Sequence, residues 1–545
     1  MWNPLTLHRR PRPNITFPNS TTNAPFHSKP PTMRTLGWIT AGLLLLVGAL
    51  FVAVPIIANN RLDKLIEQAN QDGNSLSIAQ RDLSYRLTSF NLQLDSLNFE
   101  QDRGGQQVSG FIERIDVEGL KLLPLLSKKV RLNDLIVTRP ALEVRPGTAK
   151  KDTSSNSKGT LDLRIRDLVL AEANINRYGN DGEVKQQLFG LGARLTNASF
   201  PLDTTRLPPA ELQLDSLSFP RPDADWIVTD VIANSLTGEL SVGRAQLSPR
   251  QGKRNYLTSQ STRSTWLALR VDDVVINELP FDTLAFGNSA VIPQLTVGDF
   301  NLEAYENPDL PAAVDEDQKP FPVELLRRLP RPVLFQRLDL KRANITYGMV
   351  SSSAGPAKIT FESGSATATN MSTYPQSDSA VVNANFSLHG RSPLEATFLF
   401  DQSGNGRHWQ GRGALADYDL TSCNDLLKVA DGNLRIGSGY TNSLHYNIIA
   451  DGGDQTRGDV RFLYENLDVD FAGSFFKNLA AGVAVRNTNP RPNGDIEIGQ
   501  VAYTHDGARS FFSFYWQSIV TGLRSSAVGN FFNEEKLKSS EQVPE

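Results

Sequence analysis

Six times along the chain, apolar residues recur at spacings of two, three and two. The copies are Leu92/Leu94/Leu97/Phe99, Val130/Leu132/Leu135/Val137, Leu163/Ile165/Leu168/Leu170, Leu212/Leu214/Leu217/Phe219, Leu269/Val271/Val274/Ile276 and Leu338/Leu340/Ala343/Ile345. A step of two is the strand period, because successive side chains point to opposite faces. The step of three keeps all four groups on one face only if one residue is absorbed mid-strand, as a β-bulge does. Letters repeat with the period: LQLDSLNF at 92–99 returns as LQLDSLSF at 212–219, and LVLAEANINRY at 168–178 is echoed by LDLKRANITYG at 338–348. Such self-similarity marks a repeated unit. Polar or Pro/Gly-rich inserts at 146–160, 249–264, 305–322 and 350–357 read as loops or linkers.

A sheet with one apolar face must cover it. Little helix-period patterning is available for this before residue 420, so two coverings compete. The sheet folds over on itself as a sandwich, or it stays open and curved with lipid against its apolar face. Periodicity does not separate them. Helices concentrate late: LTSCNDLLKVA around Cys423, and a longer one from about Arg509 to Phe532, where Phe512, Trp516, Ile519 and Leu523 form an apolar stripe widened by Phe511, Phe514 and Tyr515. The expected role of that helix is to close the carboxy-terminal end of the sheet, the alternative being contact with a membrane surface or partner. Its uncharged stretch, 510–523, is too short for a second span.

Leu36 to Ala58 is 23 mostly apolar residues, enough to cross a hydrocarbon core of about 30 Å. Five basic residues and no acidic one precede it, which keeps 1–35 cytoplasmic and sends the rest across. Met33 is an alternative start to Met1. The 545 residues carry 55 Lys+Arg against 59 Asp+Glu, a balance that argues against a nucleic-acid partner. The single cysteine rules out an intramolecular disulfide framework. None of the six histidines stands in a zinc-binding spacing, and neither a nucleophile elbow nor a phosphate-binding loop occurs. The turn at Asp401–Arg412 has an EF-hand-like beginning, but Arg412 occupies the position that needs a bidentate Glu. The acidic run Asp315–Asp317 reads as a solvated loop. No pair of carboxylates stands out for hydrolysis, so neither an enzyme activity nor a cofactor or metal is expected.

One apolar span followed by RIDVEGLKLLPLLSKKVRLNDLIVTRPALEV (114–144) and LRIRDLVLAEANINRYGNDG (163–182) resembles the AsmA-like proteins, repeating β-groove proteins related to TamB and to bridge-like lipid transfer proteins. The carboxy-terminal part, 411–471 and 487–526, with its Y-x-x-L-x-V element at Tyr464–Val469 and its aromatic final helix, carries the more specific likeness. The resemblance implies a bacterial inner-membrane protein, held by Leu36 to Ala58, whose periplasmic part moves phospholipids in envelope biogenesis. Membrane lipids are then its partners, with an outer-membrane or envelope protein as a further one.

The expectation is therefore a mainly β, elongated, groove-like antiparallel sheet with a few helices, preceded by one transmembrane helix. Its parts are a tail 1–35, a span 36–58, a β-groove region 61–330, a β region with closing helix 331–532 and a polar tail 533–545. Leu92, Leu94, Leu132, Ile165, Leu214, Val271 and Leu340 are the lipid-facing candidates. A non-conducting assembly scaffold is the alternative function.

Overall fold

The computed structural model describes residues 75–86, 89–103, 106–121, 124, 129–147, 162–202, 205–311, 319–329, 331–351, 355–376, 378–431, 434–471, 485–505 and 510–528. The tail 1–35, the span 36–58, the acidic run 315–317 and the polar tail 533–545 lie outside the described residues. Among the described residues, no helix is long and apolar enough to cross a membrane.

Among the described residues nineteen strands form one open sheet. The first nine are β1 (Ser75–Arg86), β2 (Ser89–Arg103), β3 (Gln106–Lys121), β4 (Lys129–Pro146), β5 (Asp162–Tyr178), β6 (Val184–Phe200), β7 (Ala210–Pro220), β8 (Ala224–Asn234) and β9 (Glu239–Pro249). They continue as β10 (Thr265–Asn277), β11 (Ala290–Glu306), β12 (Val333–Ser351), β13 (Gly355–Ser372), β14 (Ala380–Leu388), β15 (Ser392–Phe400), β16 (His408–Asp419), β17 (Leu434–Asp451), β18 (Gln455–Phe471) and β19 (Ile498–Thr504). Every strand pairs with its neighbours in the chain, and the ladder runs unbroken from β11 into β12 across residue 330. The purely antiparallel sheet expected from the sequence is corrected at two places: β4 with β5, and β11 with β12, are parallel. A parallel step needs a long connection that brings the chain back to the same end of the sheet, and two of the polar inserts, 146–160 and 305–322, fall at these steps.

The three-residue step is a register-shifting bulge at Leu340/Ala343, where β12 meets β13, but elsewhere it differs from an ordinary bulge. Asp95 pairs with Arg114 and Leu97 with Ile112, and Ser96 opposite Glu113 drops out of the ladder without any change of register. The same paired omission occurs at Gly190/Asp215, Asp215/Asp230, Asp230/Gly243, Gly243/Asp273 and Asp273/Gly298. A bulge sets two residues against one. Here each partner gives up one residue at the same level, so the irregularity forms a seam across neighbouring strands. The alternation reverses on both strands together, and the apolar groups stay on one face. Ser96, Asp230 and Asp273 take left-handed backbone there, with φ of 55°, 57° and 56°. Asp230 and Asp273 lean over their neighbours, and those neighbours are glycine: a Cβ on Gly243 or Gly298 would stand 2.7 Å from the aspartate Cβ.

On the opposite face the seam carries ion pairs. Arg139 bridges Glu113 (2.8 Å) and Glu172 (3.0 Å), Asp272 accepts from Arg244 (2.7 Å) and Arg270 (2.6 Å), and Arg342 holds Asp299 (2.5 Å). Solvent screens these pairs, so they fix the polar character of the face more than its stability.

Among the described residues five α-helices decorate the sheet: α1 (Lys253–Ser259), α2 (Phe281–Phe286), α3 (Pro322–Leu326), α4 (Asn424–Asp431) and α5 (Phe511–Val528). α4 touches β12, β13 and β17. α5 packs on β17, β18 and β19, and its Phe512 reaches Tyr347 on β12 and Phe361 on β13.

Candidate functional site

The apolar face is one surface with three different coverings. Over β2 to β5 it is shut. Leu92, Leu94, Leu132 and Ile165, four of the seven candidates, are 2%, 1%, 5% and 1% exposed, and their neighbours Leu97, Ile112 and Leu135 are fully buried.

Over β7 to β11 the face is ajar. Leu214 is still buried, but Val271, paired with Ala245 and Phe300, is half-buried, as are Leu212, Leu217, Val228, Val242 and Leu269. Leu340, on β12, is half-buried too and pairs with Val297. All seven candidates face the same way. They do not share one row: Leu132 pairs with Ile165, and Leu214 joins Leu340 through Val231, Val242, Val274 and Val297, while Leu92, Leu94 and Val271 each stand on a separate row. Side chains on this face from β7 to β11 are almost all Leu, Val, Ile, Ala, Phe or Trp; the charged exception is Glu306 at the end of β11, which accepts from Thr265 and Tyr347. The cross-strand pairs show the continuity: Phe219 with Trp226, Trp226 with Leu247, Leu247 with Leu269, Leu269 with Leu302. One strand end is closed by α2, whose Phe281 and Leu284 pack on Ile276, Leu279, Ile292 and Val333. Across the middle of β7 to β9 no described helix packs on the sheet. Sequence reading missed α2, since ELPFDTLAFGNS (278–289) is too short for a periodic signal; Pro280 and Gly287 at its ends were the legible cues.

Over β13 to β19 the face is filled. Phe514 is fully buried and stacks on His505 (4.5 Å) beside Trp409 and Phe321. Tyr515 is buried against Phe398 (5.0 Å) and hydrogen-bonds Tyr446, and burial pushes the Tyr446 hydroxyl up to about 12. Below them Thr456 and Ser518 share a 2.8 Å hydrogen bond. Of the stripe expected on this helix, Ile519 is buried and Phe512 and Leu523 pack partly buried against the same cluster. The packed face runs through Phe514, Tyr515, Ser518, Ile519, Gly522, Ser525 and Ser526. Small residues bring the helix backbone onto the sheet, so that a Cβ on Gly499 would lie 2.0 Å from the Gly522 carbonyl oxygen. Hydrophobicity alone hides this face, because half of it is serine and glycine. The end-closing contact is hydrogen-bonded: the Gln500 amide of edge strand β19 donates to Ser525 Oγ at 3.0 Å, and Ser526 Oγ donates to the Glu497 carbonyl.

No family model matches the chain, and no curated protein matches it.

Other chemistry is sparse. Among the described residues no three His, Cys, Asp or Glu side chains are placed to hold a metal ion. The turn at Asp401 is self-contained, with Ser403 donating backbone and hydroxyl hydrogens to the carboxylate and holding it below the usual range. Cys423 is a partner of the Tyr418 hydroxyl (3.2 Å), and burial pushes its thiol up, away from reactive thiolate.

Proposed function

We propose that the protein binds lipids through the apolar face of β7 to β11, acting in envelope biogenesis from a position anchored in the bacterial inner membrane by Leu36 to Ala58. The observation that supports this reading is the uncharged, only partly buried surface running from Phe219 and Trp226 through Val271 to Leu302. A soluble protein seldom leaves such a surface without an occupant. Acyl chains suit it, because they need no hydrogen-bond partner and tolerate a smooth surface of Leu and Val.

Sealed flanks sharpen the reading. With β2 to β5 shut and β13 to β19 filled by α5, the face offers a bounded site, which favours holding lipid over conducting it end to end in this conformation. Mass spectrometry of lipids copurifying with residues 61–545 tests the proposal. Phospholipid is expected in the parent and strongly depleted in Val271→Asp. A lipid-free parent protein would overturn the reading and leave the assembly scaffold in its place.

A further inference from the structure

The two rims of the middle sheet are chemically unlike. At the end where β5/β6, β7/β8 and β9/β10 connect, the turns read GNDGE (179–183), PRPDA (220–224) and PRQGKRN (249–255). At the other end the connections carry exposed apolar side chains: Leu202 after β6 (43% exposed), Leu236 between β8 and β9 (71%), Phe286 on α2 (38%), Leu325 on α3 (52%) and Leu329 just after it (46%).

The β6/β7 loop, the β8/β9 turn, α2 and Leu329 are tied into one rim, while α3, which precedes Arg331 in the chain, is fixed on the β15/β16 connection by Arg327 donating to the Gln402 and Gly404 carbonyls (2.7 Å each). The Leu207 amide donates to Asp282 Oδ1 at 2.7 Å, tying the β6/β7 loop to α2. The Leu279 amide donates to the Gly238 carbonyl at 2.6 Å, tying in the β8/β9 turn. Arg331 donates to the carbonyls of Leu284 (2.5 Å) and Ala285 (3.3 Å), which brings Leu329 beside α2. Such ties hold the leucines at turn tips, where collapsing onto the protein would break several hydrogen bonds.

We propose that this rim docks onto a lipid bilayer, with Leu236, Leu325 and Leu329 in the interface. Bilayer is favoured over protein by three features. Apolar groups at separate tips, with charged residues between them, suit a soft medium that closes around each one. Charge around the rim balances, with Arg206, Arg328 and Arg331 against Glu239, Glu278 and Asp282, so a neutral zwitterionic surface is matched and an oppositely charged partner is not. Finally, α2 stands between rim and binding face: Phe286 points outward, while Phe281 and Leu284 rest on the apolar cluster. A lipid leaving a bilayer here would meet the apolar face directly behind one short helix. The inference extends the lipid-binding reading but is measured separately from it.

The test uses the full chain, with Cys423→Ser, reconstituted in phosphatidylcholine vesicles and labelled with an environment-sensitive fluorophore at Leu236→Cys, Leu325→Cys or, on the opposite rim, Asn180→Cys. Docking predicts blue-shifted emission at 236 and 325 and its loss when nitroxide-bearing phosphatidylcholine is included, with water-like, unquenched emission at 180. Water-like emission at all three sites overturns the proposal, and so does equal quenching at 180 and 236. Lipid-free purified protein together with quenching at 236 would remove the binding-face reading and leave the rim standing, whereas copurifying lipid with a water-exposed 236 would do the reverse.

Discussion

Residues 210–306 and residues 380–528 build their sheet from strands of the same kind, yet one stretch leaves its apolar face half-exposed and the other packs it solid. The difference lies in size contrast. Middle strands present mostly Leu and Val inward, with Ala between them, rings at Phe219, Trp226 and Phe300 and no glycine, a comparatively even surface. Later strands alternate rings with glycine: a Cβ on Gly413 would lie 2.1 Å from the Tyr446 hydroxyl, and one on Gly411 would lie 3.0 Å from the Trp409 ring. Knobs and gaps let a helix nest and become fixed. An even surface holds nothing in particular, which suits a flexible apolar ligand. Covalently attached filling is thus selected by relief, and exchangeable filling by its lack.

The sharpest way to break this comparison is to place a charge on the same pattern slot in the shut and the ajar stretch. Leu94→Asp buries an unpaired carboxylate and should cost roughly 4 kcal/mol or more, whereas half-exposed Val271→Asp retains water and should cost a few kcal/mol less. Urea midpoints of the two variants measure the gap. Equal losses would mean that the middle face is sealed after all. Next in size is Phe514→Ala, which empties the centre of the filled block and should destabilise it by about 3–5 kcal/mol while leaving copurified lipid unchanged. Lipid loss in that variant would show that the two stretches work as one site.

The smallest effect is electrostatic. Arg194, then burial and Arg166, act on Asp167; Arg342 dominates at Asp299 and Arg337 at Asp339, and all three carboxyls stand below their usual range. Since the folded value lies under the unfolded one, their contribution is present above the unfolded pKa of about 3.9 and fades as pH falls through the lower folded values. Among the described residues of 380–528, only Asp401 is held low in this way. Brief pepsin digestion at about pH 3 should therefore cut within 129–351 before it cuts within 380–528. The reverse order would show that the ion-paired face does not govern acid sensitivity.

Much of the sheet was legible because its signal is local. The spacing of Leu92, Leu94, Leu97 and Phe99 declares a strand, a face and an irregularity without reference to anything distant. That the irregularity is shared was hidden, since it depends on which residue stands opposite, and Gly243 and Gly298 make sense only beside Asp230 and Asp273. The parallel steps were hidden for a similar reason: a polar insert announces a connection but not its direction. On α5 the fault was in the criterion, because Ser518, Gly522 and Ser525 mark the contact by being small. The rim leucines were in plain view, but exposure is not a property of sequence.

The pairing of every strand with its chain neighbours bears on how such a molecule changes length and bears load. No strand waits for a partner from a remote part of the chain, so its contacts are short in sequence and each hairpin can join the growing sheet in turn. Removing one antiparallel hairpin would bring together strands of unchanged direction, and width becomes a quantity that can drift by two strands at a time. Force applied to β1 and β19, across the ladder, would load the weakest pairing first and open the sheet as a row of discrete steps. A force-extension trace with several unequal peaks would be its mechanical signature.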